Sequence, residues 1–146
     1  PQGKLAPKGR TSFRWVPNGI PGVATRLPIL FSEGVVKGRI DLNSFVAFSA
    51  TNHAKIYGLY PRKGTIAVGS DADIALWDPK RKLTIRHELI HDGSDYTPYE
   101  GLEVTGWPVL TMVRGKVVVD DGTLVGSKAH GTYLPRAKPP VGATIP

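Results

Sequence analysis

The chain contains no cysteine, which excludes disulfides, thiolate metal sites and a cysteine nucleophile. That composition is compatible with a cytoplasmic location. No apolar run approaches the ~18 residues that a membrane span requires, so no membrane partner is expected. The N-terminal Pro1-Gln2-Gly3-Lys4 is polar, lacks a signal-peptide core and has no initiator Met, which points to a processed or truncated start. Glycine motifs that build nucleophile elbows or cradle phosphates (G-x-S-x-G, the P-loop, G-x-G-x-x-G) are missing too. Basic residues are not interleaved with aromatics in the manner of single-strand or RNA-binding sheets, so no nucleic-acid partner is expected.

What is present reads as globular: 40% hydrophobic and 21% charged residues over 146 positions. The 17 Gly and 13 Pro favour short elements joined by turns over a helical bundle. The formal charge of +7 is scattered, and its densest cluster, Lys80-Arg81-Lys82 beside Asp78-Pro79, reads as a solvated turn.

Residues 1–22 are broken by Gly and Pro and read as a long loop. Helices are expected over 25–58. Thr25 is a candidate cap, Leu27, Leu30, Phe31 and Val35 form an apolar face, and Gly38 is a stop. A second helix is expected from about Asn43, and a short third one, capped by Thr51 or Asn52, ends at Gly58. Strands are expected at Thr65–Val68, at Asp73–Trp77 (ended by Asp78-Pro79), and at Leu83–Arg86. A hairpin turning at Arg114-Gly115 joins Val109–Val113 to Lys116–Val119, and Asp121-Gly122 turns into Leu124-Val125. The Pro-rich tail is expected to be extended and mobile. A change of character near residue 60 suggests two structural regions, neither of them complete alone.

His87-Glu88-Leu89-Ile90-His91 matches H-E-x-x-H, which on a helix sets two imidazoles on one face beside a general base. A zinc peptidase is therefore one remote reading. The β-like residues before it and Asp92-Gly93-Ser94-Asp95 after it leave room for roughly two helical turns at most. Two imidazoles in an extended, partly exposed segment are the plainer alternative. His53 and His130 stand alone and read as packing or surface residues. The residues by themselves assemble no catalytic set and no metal-ligand set.

Several stretches, in one order along the chain, resemble the hydantoinase/dihydropyrimidinase family of cyclic amidohydrolases. They are Pro17-Asn18-Gly19-Ile20-Pro21-Gly22, Thr25-Arg26-Leu27-Pro28, Ser49 to Leu59 (with His53 where the family carries Pro), and Lys63-Gly64 with Gly69-Ser70-Asp71-Ala72-Asp73. Asp95-Tyr96-Thr97-Pro98-Tyr99-Glu100-Gly101, Gly106-Trp107-Pro108-Val109 and Gly131 to Arg136 complete the set. The resemblance implies an α/β fold: the C-terminal part of a (β/α)8 TIM-barrel amidohydrolase plus part of its β-sandwich domain. Residues 1–59 would supply the final loop and helices of the barrel, 60–125 the C-terminal share of the sandwich, and 126–146 an extended tail. It also implies ring-amide hydrolysis of hydantoins or dihydropyrimidines to N-carbamoyl amino acids by the complete protein. In the family this needs two zinc ions held by an H-x-H pair, a carboxylated lysine, two further His and an Asp, all upstream of Asn18, so this chain alone is expected to be inactive. Asn18 is the one site residue carried over: the family's main chain there hydrogen-bonds the substrate ring. Without the resemblance, Asn18 reads as a turn nucleator. A homotetramer is implied as well, and a non-enzymatic, dihydropyrimidinase-like assembly protein is the alternative.

Overall fold

The computed structural model describes residues 19–94, 96–128 and 130–138. Helices come first and a four-stranded antiparallel sheet follows.

Helix α1 (Val23–Leu30) continues without interruption into a π-helical turn, Phe31–Val36. It starts three residues earlier than Thr25 as a cap suggests, with Gly22 at the cap position. Thr25 is buried inside the helix, where its hydroxyl donates to the Gly22 carbonyl at 3.3 Å and so does not cap the helix N-terminus. Pro28 also lies inside the helix and is fully buried. The buried face is therefore Thr25, Pro28, Phe31, Ser32 and Gly34, rotated from the expected Leu27–Val35 stripe. Gly38 ends the run in a left-handed conformation, with its N–H on the Val35 carbonyl.

Helix α2 (Leu42–Val46) is capped by Asp41, whose carboxylate accepts the Ser44 N–H at 2.7 Å. It runs through the π-helical Ala47–Thr51 into α3 (Asn52–Ile56). Thr51 and Asn52 keep helical dihedrals and cap nothing, so the expected break between two helices is absent. The extra residue of a π turn shifts the helical face here, which explains why the 3.6-residue pattern falters without the chain leaving the helix.

The sheet order is β1 (Ile74–Thr84), β2 (Glu103–Val113), β3 (Lys116–Asp120), β4 (Thr123–Leu124), each antiparallel to the next. Asp78-Pro79 does not end β1, and Leu83 belongs to the same strand. Asp78 pairs with Trp107 and Lys82 with Thr105, so Pro79, Lys80 and Arg81 bulge opposite Gly106 alone. Proline is tolerated because β1 is the edge strand of this sheet and a bulged residue owes no ladder bond. Lys80 N–H turns back to the Asp78 carboxylate at 2.9 Å, so the solvated basic turn survives as a bulge. Both expected hairpin turns are present, Arg114-Gly115 and Asp121-Gly122, all four residues having positive φ.

Thr65–Val68 is not a strand. Ile66 is 84% and Val68 109% exposed, and no strand pairs with this segment among the described residues. β-propensity is realised only through cross-strand partners, which this segment lacks here.

Two apolar clusters join helices to sheet. Phe31, Phe45 and Trp77 form an aromatic trio: Phe31 stacks on Trp77 at 5.2 Å and meets Phe45 edge-on at 5.3 Å. The Phe31 ring lies directly over Gly106, where any side chain would collide with it. One residue away, the Ser32 hydroxyl accepts the Thr105 N–H at 3.1 Å. The second cluster buries Ile85, Ile90 and Val104 against Ile29, Tyr99 and Trp107.

Candidate functional site

Asn18, the substrate-binding residue inferred from the resemblance, lies outside the described residues. The loop that follows it is described. Gly19 has a left-handed φ of 81°, and Gly22 accepts the Arg26 N–H at 3.0 Å where α1 begins. An open cleft of about 500 Å³ adjoins this loop, lined by Ile20, Gly22, Ile29, Leu30 and Tyr99, with Arg26 and Glu33 also lining it. A polar ring edge could sit against the loop's main chain while the cleft takes up apolar surface.

Tyr99 comes from Asp95-Tyr96-Thr97-Pro98-Tyr99-Glu100-Gly101. This segment turns between the His87–Leu89 helical turn and β2. It is tied to the end of β1 by Gly101 N–H to the Ile85 carbonyl at 2.9 Å and by Ile85 N–H to the Leu102 carbonyl at 2.8 Å. Thr97 is buried, and its hydroxyl accepts the Tyr99 N–H at 3.3 Å.

The Lys63-Gly64 and Asp71-Ala72-Asp73 motif builds a charged joint between helices and sheet. Lys63 pairs with Asp71 at 2.9 Å and with Asp73, while Arg62 pairs with Asp71 at 3.0 Å. Asp73 also accepts the Arg114 N–H at 2.8 Å from the β2–β3 turn, and the Thr51 hydroxyl donates to the Gly64 carbonyl at 2.7 Å. Burial opposes the Lys63 charge, but hydrogen bonds to Asp73 and Asp71 outweigh it and hold the ammonium above its ordinary value. The hydrogen bond from Lys63, helped by Arg62, holds the Asp71 carboxyl below the usual range. Burial and the Asp71 charge push Asp73 upward, yet Lys63 and the Arg114 N–H keep it low as well. Every charge in this joint is used in cross-linking, so the joint reads as structure.

The H-E-x-x-H helix does not form. His87–Leu89 is a single 3-10 turn, and Ile90 is already extended. The His87 ring is within 2.6 Å of the Ser94 carbonyl, and its backbone N–H is bound by the Glu100 carboxylate at 2.9 Å. The i, i+4 juxtaposition that a zinc peptidase needs is therefore not made. His53 is exposed on α3, and His130 holds the tail with Nε2 3.2 Å from the Val113 carbonyl. Among the described residues no group of three His, Asp or Glu side chains could hold a metal ion. The donor set that a zinc pair requires is thus not met by the described part of the chain.

The described part of the tail, 126–128 and 130–138, is anchored to the rest of the fold. Arg114 donates to the His130 carbonyl, and Ala137 N–H reaches the Gly58 carbonyl at 3.0 Å.

A model of the amidohydrolase family matches residues 18–118. The chain belongs to that family. It is 50% identical over 131 residues to the D-hydantoinase of Ralstonia pickettii, a match covering 90% of this chain and 28% of that protein. To the dihydropyrimidinase of Rattus norvegicus it is 43% identical over 128 residues, covering 88% of this chain and 25% of that one. It superposes on the solved D-hydantoinase of Bacillus sp. AR9 with a TM-score of 0.86 and 50% identity, over 92% of this chain and 29% of the other. The chain thus spans a little over a quarter of the length of these relatives. Over that span it has the fold of part of a TIM-barrel amidohydrolase, the α/β class that its motifs imply.

The lining role of Tyr99 was not legible in the sequence. Its motif marks the family, but which side of a turn faces a loop some 80 residues earlier follows only from the fold. The Lys63 joint was equally hidden, because its partners lie 8 and 10 residues on and follow no helical or strand period.

Proposed function

We propose that the complete protein is a zinc-dependent cyclic amidohydrolase. It hydrolyses the ring amide of hydantoins or dihydropyrimidines to N-carbamoyl amino acids. The observation that carries this reading is identity of about half over nine-tenths of the chain with D-hydantoinases, together with a matching backbone. In this reading residues 1–59 supply the last loop and helices of the barrel, 60–125 the C-terminal share of the sandwich domain, and 126–146 the tail. The end of the helices at Ile56 and the start of the sheet at Ile74 support that division.

The zinc pair, with its carboxylated lysine, is held by residues outside this chain. Bound there, it would supply Lewis-acid polarisation of the ring carbonyl and activation of water for attack. The part played by this chain is recognition. The Asn18 main chain hydrogen-bonds the ring amide, in a loop whose Gly and Pro content keeps donors and acceptors fixed. A substrate that cannot pair with them leaves buried polar groups unmet, at a cost of about 1–3 kcal/mol. The complete protein is cytoplasmic and works as a homotetramer. No helix of the described residues is long and apolar enough to cross a membrane.

Full-length protein incubated with hydantoin and dihydrouracil, alongside metal analysis, tests the reading. Ring opening with bound zinc supports it, and the 146-residue chain alone is expected to open neither ring. A folded, metal-free and inactive full-length protein would instead favour a non-enzymatic assembly role.

A further inference from the structure

We infer that Tyr99 is a positioning residue for the substrate loop. It would act by seating the Gly19–Gly22 segment on the buried core, and this rests on the amidohydrolase reading above. Two contacts of the loop are seen among the described residues. One is the start of α1, where Gly22 accepts from Arg26 N–H and from the Thr25 hydroxyl. The other is the Tyr99 ring: a methyl group built on Gly22 would lie 3.8 Å from its Cε2, so the glycine backbone rests close to the ring edge.

The ring itself has little freedom. It packs on the cluster of Ile85, Ile90 and Val104, of which Ile85 is wholly inaccessible to solvent. Its main chain is held on both sides, by Thr97 Oγ1 at the amide and by Leu102 N–H at the carbonyl. The buried cluster is thereby connected to the loop through the Tyr99 ring. Asn18 directly precedes Gly19 in the sequence, so in the amidohydrolase reading a displaced ring disturbs the Gly19–Gly22 loop beside the substrate. Such a displacement weakens recognition of the substrate without acting on the catalytic step, and its signature is a KM effect.

The test uses the zinc-loaded, full-length protein and steady-state hydantoin kinetics, with zinc content and thermal melting measured on every variant. Wild-type turnover comes first, and its absence would sink the amidohydrolase reading itself. Given turnover, Tyr99→Ala is expected to raise KM about tenfold while zinc content and kcat stay within about twofold. Tyr99→Phe keeps the ring and is expected to restore KM. Gly19→Ala strains the same loop, because φ is +81° there, without touching the core, since no atom lies within 4 Å of the added methyl. It should raise KM likewise, and the double variant should fall short of the sum of the two effects. A folded Tyr99→Ala with unchanged KM would overturn the proposal. So would parallel losses of zinc and kcat, or strict additivity with Gly19→Ala.

Discussion

Gly106 decides the contact between the helices and the sheet. With φ at +93° and the Phe31 ring against it, it is the position where one methyl group should do most harm. Gly106→Ala is expected to cost about 1–3 kcal/mol through overpacking, read as a lower denaturation midpoint at unchanged slope. Lys63 offers a test of charge. Asp71 and Asp73 have lowered folded pKa values, so their contribution is complete above the ordinary carboxylate value of 3.8 and is lost as pH falls through the lowered ones. The raised value of Lys63 makes its own contribution fade only above 10.5. Lys63→Met should therefore melt below wild type at neutral pH, with the gap closing in acid. A gap unchanged between about pH 7 and about pH 3 would mean that the joint does not stabilise through its charges.

At the scale of elements, Asp41 is the clearest cap. Asp41→Ala should lower the melting temperature, and Asp41→Asn, which can still accept the Ser44 N–H, should recover most of it. The hairpins at Arg114-Gly115 and Asp121-Gly122 were legible in the sequence, because such turns are specified by two adjacent residues. The ends of α1 and β1 were not. Thr25 has the chemistry of a cap but is drawn into the helix by burial, and Pro79 has the chemistry of a strand terminator but falls at a bulge on an edge. In both places tertiary context overrode a local preference. The split expected at Thr51-Asn52 failed for a different reason: a π turn changes the face of a helix without ending it. Thr65–Val68 has strand composition and no partner strand among the described residues, so pattern alone could not decide it.

For the whole molecule, apolar exposure is the main physical signal. Val23, Ile66, Val68 and Leu124 are each more than 70% exposed. Exposed apolar surface of this kind promotes association. The 146-residue chain is expected to aggregate at concentrations where the full-length protein does not, as light scattering would record. Of the candidate site, the sequence marked the loop at 17–22 only through its resemblance to a family motif. The cleft beside it emerged only when Tyr99, 77 residues beyond Gly22, was brought into contact by the sheet. The proposed function divides the work between a metal centre outside this chain and a recognition loop within it. Metal removal and return on the full-length protein, followed by hydantoin ring opening, tests it most directly. Activity that disappears with the chelated zinc and returns when zinc is restored is the expected result, whereas full activity in protein shown to be metal-free would contradict the account.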